Sequence, residues 1–221
     1  MIYLFFILSL LALFVLSQTL SKFLSIAFYK LFKNQKITIY FLAVLFFPGV
    51  VIHELSHWLM AQILFVPTGR VEFMPQLRGN ELKLGSVAIA QVDPIRRALV
   101  GVAPFLFGIT IILTLLFFYD KISIPESIKL YVIGYSIFEI GNTMFSSRKD
   151  LEGTVELLLT LLIVSIILFF IGIRIPESWI DYFQSDAILD LMRQATYFVG
   201  IPVLIDIITI SILYIFIRLG R

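Results

Sequence analysis

The sequence predicts an all-α polytopic membrane protein with about six transmembrane helices and a small β-hairpin or sheet insertion between the second and third helices. Its 221 residues are 60% hydrophobic and only 14% charged, and the mean hydropathy is +1.01. A soluble domain is roughly half apolar and about a quarter charged, because it must present a wetted surface. Apolar runs of about 20 residues, the length that a helix needs to cross a bilayer, also recur. The lipid bilayer is therefore the expected surroundings of this chain.

The charged residues and the missing cysteines exclude other classes of protein. The formal net charge is +2, from 17 basic and 15 acidic residues with no basic block, which excludes a nucleic-acid partner. No cysteine is present, which excludes disulfide frameworks, thiol catalysis and cysteine-bound metals. Only two histidines occur, so their positions carry most of the information about chemistry.

Residues 1–36 are expected to form an N-terminal transmembrane helix with an amphipathic connector. No Asp, Glu, Lys, Arg or His occurs from Met1 to Ser21, and the lack of a basic n-region favours a retained helix over a cleaved signal peptide. Ser21 to Lys36 carries four lysines beside apolar residues at helical spacing. That pattern is typical of a helix at the membrane surface.

Residues 37–153 form the expected central unit, which begins with a long apolar stretch from Ile37 to Val66. Pro48-Gly49 should break or kink the helix that this stretch predicts. Charges and alternating polarity follow at about 67–93, where Gly79-Asn80 is a turn signal between short strand patterns. A small β-hairpin or three-stranded element is therefore predicted there.

Four further apolar segments complete the predicted helices. The last two belong to a C-terminal unit, residues 154–221, and the polar segment between them predicts a loop with a short surface helix. Lysine and arginine divide almost evenly between the two sides of such a protein, so their distribution does not orient it. The expected helices are about Ala98–Tyr119, Ile128–Phe145, Thr154–Ile173 and Tyr197–Ile217.

The residues His53-Glu54-Leu55-Ser56-His57 form an H-E-x-x-H motif inside the second apolar stretch. Histidines at i and i+4 lie on one face of a helix, so two imidazole nitrogens can reach one ion while Glu54 addresses a water bound to it. Ionisable groups inside a membrane span are costly and usually functional. The motif predicts a catalytic Zn²⁺ site with two histidine ligands.

A third protein ligand must be an aspartate or a glutamate, because no other histidine and no cysteine exists. Spacing alone does not choose among the acidic residues near the predicted helices. These are Asp93, Asp120, Glu139, Asp150, Glu156 and Asp206.

A zinc motif in a membrane helix, a β-rich loop and two further helices resemble the site-2 protease family of intramembrane metalloproteases. In that family a later helix carries an Asn-Pro-…-Leu-Asp-Gly motif whose aspartate is the third zinc ligand. The segment from Asn142 to Gly153 is similar to it, since Asn142 and Asp150 have the family's separation of eight residues. Thr143 stands where the family usually has proline, and Lys149 where it has leucine.

The resemblance implies a zinc-dependent intramembrane endopeptidase in the cell membrane of a prokaryote. His53, His57 and Asp150 would hold Zn²⁺, and Glu54 would be the general base. Asn142 would orient the substrate or stabilise an oxyanion, although an interhelical hydrogen bond explains it equally well. The partner would be a membrane-spanning or membrane-anchored protein substrate. The β insertion could hold it as an added strand, or could simply pack against the helices.

Two other functions also fit the sequence. One is an H-E-x-x-H membrane metalloprotease of another type, in which Glu139 or Glu156 is the third ligand. The other is a non-proteolytic protein that binds a metal or a transmembrane client. For Glu139 a structural hydrogen bond is the simpler role, and Asp206 would serve as a polar partner or as a gate.

Overall fold

The structure is a computed structural model, and eight α-helices and four short β-strands lie in the part of the chain it describes. The backbone is described except at residues 79–80, 84, 146–147, 173–175 and 220–221. Side chains are not described at these positions, at 76–83, 116 and 120, or at 148–158. The helices are α1 Ile2–Phe32, α2 Gln35–Leu45, α3 Phe47–Ile63, α4 Pro94–Phe117, α5 Glu126–Thr143, α6 Arg148–Phe170, α7 Glu177–Phe183 and α8 Asp186–Leu219.

Three helices are long and apolar enough to cross a bilayer: α1, α8 and the part of α4 up to Leu115. The predicted connector is not a separate element, because its apolar positions continue the face of α1 without interruption. Helix α5 falls outside this group, and its 18 residues include Glu126, Lys129 and Glu139. Among the described residues, the count of about six transmembrane helices is thus not confirmed.

The predicted break near Pro48-Gly49 is present, two residues earlier than the proline. Helices α2 and α3 meet at Phe46 with a bend of 71°, and together they are apolar enough for one broken span. Pro48 lies in the first turn of α3, where its missing N–H costs no helical hydrogen bond. The side chain of Asn34 caps α2 by accepting hydrogen bonds from the N–H groups of Lys36 and Ile37.

The β insertion consists of two antiparallel pairs rather than one three-stranded element. Strand β1 (Thr68–Glu72) pairs with β4 (Ser86–Ile89), and β2 (Gln76–Arg78) pairs with β3 (Glu81–Lys83). The predicted Gly79-Asn80 turn lies outside the described residues. Both β1 and β4 contact α3, so the insertion lies against the helix that carries the two histidines.

Helices α1 and α8 run parallel to each other. Tyr3 at the start of α1 donates a hydrogen bond to the carbonyl of Phe183, three residues before α8. Lys30 near the end of α1 donates to the carbonyl of Ile217 near the end of α8, at 2.8 Å. The bundle therefore has a Tyr3 end, where both helices begin, and a Lys30 end, where both finish.

The bent α2–α3 pair, α4 and α5 alternate in direction. At the start of α3, Phe46 packs with Leu24 of α1. Further along α3, His53 contacts Thr143, and the adjacent Met144 packs with Leu13 of α1, so α3 runs toward the Tyr3 end. Helix α4 then runs to the Lys30 end and α5 returns, and Met144, directly after the end of α5, packs on Leu13. The β insertion and the junction between α5 and α6 thus share the Tyr3 end.

Helix α6 packs against α4 and starts at Arg148, so the predicted unit boundary after residue 153 falls inside a helix. Because α7 reaches Tyr3, the chain from α6 to α7 begins and ends at the Tyr3 end. Helix α8 begins at Asp186 rather than Tyr197. The charged segment that predicted a loop instead extends α8 by about three turns, and Asp190 and Arg193 form an ion pair there at 2.8 Å.

Candidate metal centre

The H-E-x-x-H motif lies in the middle of α3, enclosed by α4, α5 and the β insertion. Glu54 is 8% exposed and His57 is 4% exposed. The two imidazole rings meet edge to face, at an interplanar angle of 81°. Their Nε2 atoms are 3.2 Å apart, as the i and i+4 spacing on one helix face predicts.

Each histidine is oriented by a main-chain carbonyl on a neighbouring helix. The Nδ1 atom of His53 is 2.6 Å from the carbonyl oxygen of Thr143, the last residue of α5. The Nδ1 atom of His57 is 2.8 Å from the carbonyl oxygen of Val100 in α4. A carbonyl only accepts hydrogen bonds, so both Nδ1 atoms carry their proton and both Nε2 atoms point into the shared space.

These two rings fit the zinc site that the motif predicts. Neutral rings protonated at Nδ1 have a lone pair on each Nε2, and two lone pairs at 3.2 Å repel unless a proton or a metal ion lies between them. Nitrogen ligands at about 2.0–2.1 Å from a tetrahedral Zn²⁺ are about 3.3 Å apart. Histidine ligands of zinc usually donate their other N–H to a carbonyl or carboxylate, as His53 and His57 do.

Among the side chains that the structure describes, no Asp or Glu joins the two histidines in a metal-binding group. Asp93, Glu139 and Asp206 are the predicted third ligands whose side chains the structure describes, and they form no such group with the histidines. Asp120 lies in a 3₁₀ turn beyond the far end of α4 from Val100, about 25 Å or more along that helix. The other two predicted third ligands, Asp150 and Glu156, lie on α6.

Both of these carboxylate side chains lie outside the described residues, but their backbones are placed in α6. Asp150 is in the first turn of α6 and Glu156 lies two turns later. The first turn follows shortly after Thr143, whose carbonyl holds His53. Asp150 as the third ligand stays a prediction.

Gly85, directly before β4, lies against Glu54. An ideal Cβ built on Gly85 would be 2.7 Å from Glu54 Cγ and 2.9 Å from Glu54 Oε1. No larger residue fits there without displacing the loop or the glutamate. The sequence did not predict this contact, because it joins residues 31 positions apart that only the tertiary fold brings together.

Asn142 forms the interhelical hydrogen bond that was one of its two expected roles. Its Nδ2 donates to the carbonyl of Phe138 and to Oδ1 of Asp206 on α8, both at 3.0 Å. Both amide hydrogens are then used, whereas stabilising an oxyanion needs a free donor. Asp206 is thus the polar partner of Asn142, one of the two roles that the sequence left open for it.

Four buried polar atoms near the end of α5 have no hydrogen-bond partner among the described residues. They are both carboxylate oxygens of Glu139, Asn142 Oδ1 and Asp206 Oδ2. Glu139 and Asp206 are both 0% exposed. The backbone N–H of Gly49 on α3 is the group that interacts with the Glu139 carboxylate, outside strict hydrogen-bond geometry.

The sequence matches no family model, and no curated protein and no solved structure is significantly similar to it. The geometry of α3 and its neighbours is thus the main evidence about function.

Proposed function

We propose that this chain is a zinc-dependent intramembrane endopeptidase, similar to the site-2 protease family, that hydrolyses peptide bonds of membrane-spanning or membrane-anchored proteins. The observation that carries the proposal is the pair of Nε2 atoms 3.2 Å apart, each on a ring held through Nδ1 by a main-chain carbonyl. Two histidines that bind one metal ion must direct a lone pair each at the same point. A pair of histidines that only packs in a core has no such requirement.

The residues of the motif have separate tasks in this mechanism. His53 and His57 would hold the zinc ion, with Asp150 as the proposed third ligand. The chemistry that zinc would supply there is that of a Lewis acid, which lowers the pKa of a water molecule and polarises a carbonyl. Glu54 accepts a proton from the attacking water and passes it to the nitrogen of the leaving amine, so that the C–N bond breaks to give a carboxylic acid and an amine.

The depth of the histidine pair in the bundle supports a reaction inside the membrane. Thr143, which holds His53, precedes Met144, and Met144 packs on Leu13 of α1. Leu13 is about 17 Å along α1 from its start, and the apolar core of a bilayer is about 30 Å thick. A water-filled cavity around Glu54 would then be enclosed by apolar helices.

The β insertion gives a reason why the peptide bond becomes accessible. A helical substrate hides its backbone, and a free strand edge binds an unwound segment through main-chain hydrogen bonds. Within the described residues, β4 pairs only with β1 and begins one residue after Gly85, which lies on Glu54. A substrate strand added at this edge would pass close to the general base.

We further propose that the chain is a multi-pass protein of a prokaryotic cell membrane with five net crossings. These are α1, the bent α2–α3 pair, α4, α5 and α8, and the parallel arrangement of α1 and α8 supports an odd number. The N-terminus, the β insertion, the α5–α6 junction and α7 would then share one side. This replaces the expectation of about six crossings.

The proposal is tested with purified protein in liposomes and a mixture of synthetic membrane-spanning peptides. Wild-type protein should contain about one zinc per chain, and mass spectrometry should detect cleaved peptides. Glu54→Gln should retain zinc and lose cleavage, because it removes the base and leaves both histidines. Glu177→Gln, the same change at an exposed residue of α7, is the matched control and should cleave normally.

Two results would contradict the proposal. Cleavage by Glu54→Gln at the wild-type rate would exclude Glu54 as the base. Zinc bound by wild-type protein without cleavage of any peptide would favour the non-proteolytic, client-binding alternative.

A further inference from the structure

The carbonyl that holds His57 lies inside a helix, where carbonyls are normally already bonded. In a regular α-helix the Val100 oxygen accepts a hydrogen bond from the N–H of residue 104. Residue 104 is a proline, inside α4, and proline has no N–H. The Val100 oxygen therefore lacks its helical donor, and His57 Nδ1 takes that place at 2.8 Å.

His53 uses a carbonyl that is free for a different reason. Thr143 is the last residue of α5, and the last carbonyls of a helix have no donor within the helix. Both histidines thus bond to carbonyls that the helix architecture leaves available. Only the Val100 carbonyl depends on a single side chain, that of Pro104.

We propose that Pro104 is a positioning residue for His57. By withholding an N–H from the Val100 carbonyl, it reserves that oxygen for Nδ1 and so directs Nε2 toward His53 before any metal arrives. This inference rests on the proposed metal centre for its functional meaning. The preference for the tautomer protonated at Nδ1 does not require metal.

Pro104 itself is fully buried, among the largest such side chains of the chain. A purely structural role as a helix kink or a packing group therefore has to be distinguished from the positioning role. The two roles differ in one group, the backbone N–H at position 104, which only the positioning role requires to be absent. Pro104→Ala introduces it, whereas lactic acid at position 104, incorporated by nonsense suppression, replaces that N–H by an ester oxygen and keeps the alanine side chain.

The first measurement is the ring ¹⁵N NMR spectrum of metal-free protein labelled at histidine. Only two histidines are present, so each ring is resolved. Wild-type protein and the lactic acid variant should show both rings protonated at Nδ1. In Pro104→Ala the new N–H competes for the Val100 oxygen, so the His57 ring should lose this preference while the His53 ring keeps it.

The second measurement is zinc affinity by competition with a chelator. Pro104→Ala should bind zinc about 10- to 100-fold more weakly, the usual effect of losing a partner of a histidine ligand. The lactic acid variant should bind as wild type does. Pro202→Ala in α8 is the matched control, because it also adds an N–H to a proline-containing helix, at a site that packs against Gly141 of α5.

An unchanged His57 tautomer in folded Pro104→Ala would overturn the inference, as would a lactic acid variant with an altered His57 ring. If Pro104→Ala does not fold, the lactic acid variant tests the inference alone. It must keep the wild-type tautomer of His57 and the wild-type zinc affinity, and a change in either would contradict the inference. Wild-type protein without zinc affinity, but with the expected tautomer change in Pro104→Ala, would contradict the proposed function and support the inference.

Discussion

Gly85 lies directly on Glu54, the proposed general base: a Cβ at Gly85 would be 2.7 Å from Glu54 Cγ and 2.9 Å from Val50 Cγ1. Real Cβ atoms do not approach other atoms so closely. The loop before β4 can therefore cover the glutamate only because residue 85 has no side chain. This contact joins the β insertion to the H-E-x-x-H motif.

Gly85→Ala should lower peptide cleavage about 10- to 100-fold, because a displacement of about 1 Å at a catalytic group has effects of that size. Zinc content should not change, since the atoms nearest a Cβ at Gly85 belong to Glu54 and Val50. The measurements are kcat for one cleaved peptide and zinc per chain. Gly69→Ala in β1, whose Cβ would meet only Ala88, is the control for disturbance of the sheet. Wild-type kcat in Gly85→Ala would contradict the role of this contact.

Gly49→Ala should separate α3 from α5 and weaken zinc binding. A Cβ at Gly49 would be 2.8 Å from the carbonyl oxygen of Glu139 and 2.8 Å from Thr143 Cγ2. Because Thr143 also holds His53, a shift there should lower zinc affinity by about 10-fold or more. Gly134→Ala on α5, with no atom near its added Cβ, is the control. Wild-type zinc affinity in Gly49→Ala would show that the helices accommodate the methyl group.

The sequence predicted the parts of the molecule that depend on local pattern. Pro48 predicted the break between α2 and α3, alternation predicted the strands near residues 67–93, and the spacing of His53 and His57 predicted facing Nε2 atoms. The parallel arrangement of α1 and α8 was not predictable, since lysine and arginine divide almost evenly between the two sides. Gly85 and the Val100 carbonyl were missed because their contacts cross between elements.

Asn142→Leu should lower the stability of the protein by about 1–3 kcal/mol, because it leaves the buried carboxylate of Asp206 without its donor. The double variant with Asp206→Leu should recover much of this loss, since replacing both partners by apolar groups is nearly neutral. Thermal unfolding in detergent measures both. Additive losses in the double variant would show that the two side chains are not coupled.

Asp150→Ala should abolish stoichiometric zinc binding if Asp150 is the third ligand. Loss of a direct ligand should weaken affinity by more than the roughly 10- to 100-fold cost of a lost supporting partner. Glu156→Ala and Glu139→Ala are matched carboxylate deletions and should each retain about one zinc. Zinc content after dialysis separates the three. Loss of zinc in Glu156→Ala alone would assign the site to the glutamate alternative.

The direction of α8 decides whether the β insertion and α7 lie on the same side of the membrane. Five net crossings place them on one side, because α7 lies beside Tyr3 at the end of the bundle where α3 ends and α4 begins. Six crossings would place them on opposite sides, since α6 would then cross the membrane between them.

The chain has no cysteine, so Glu72→Cys and Gln184→Cys each introduce one reactive thiol at an exposed residue. A membrane-impermeant maleimide applied to intact cells, and then to lysed cells, should label both variants under the same condition. Asn34→Cys, at the Lys30 end between α1 and α2, should be labelled under the other condition. Opposite labelling of positions 72 and 184 would restore the six-crossing arrangement and would require α8 to run antiparallel to α1.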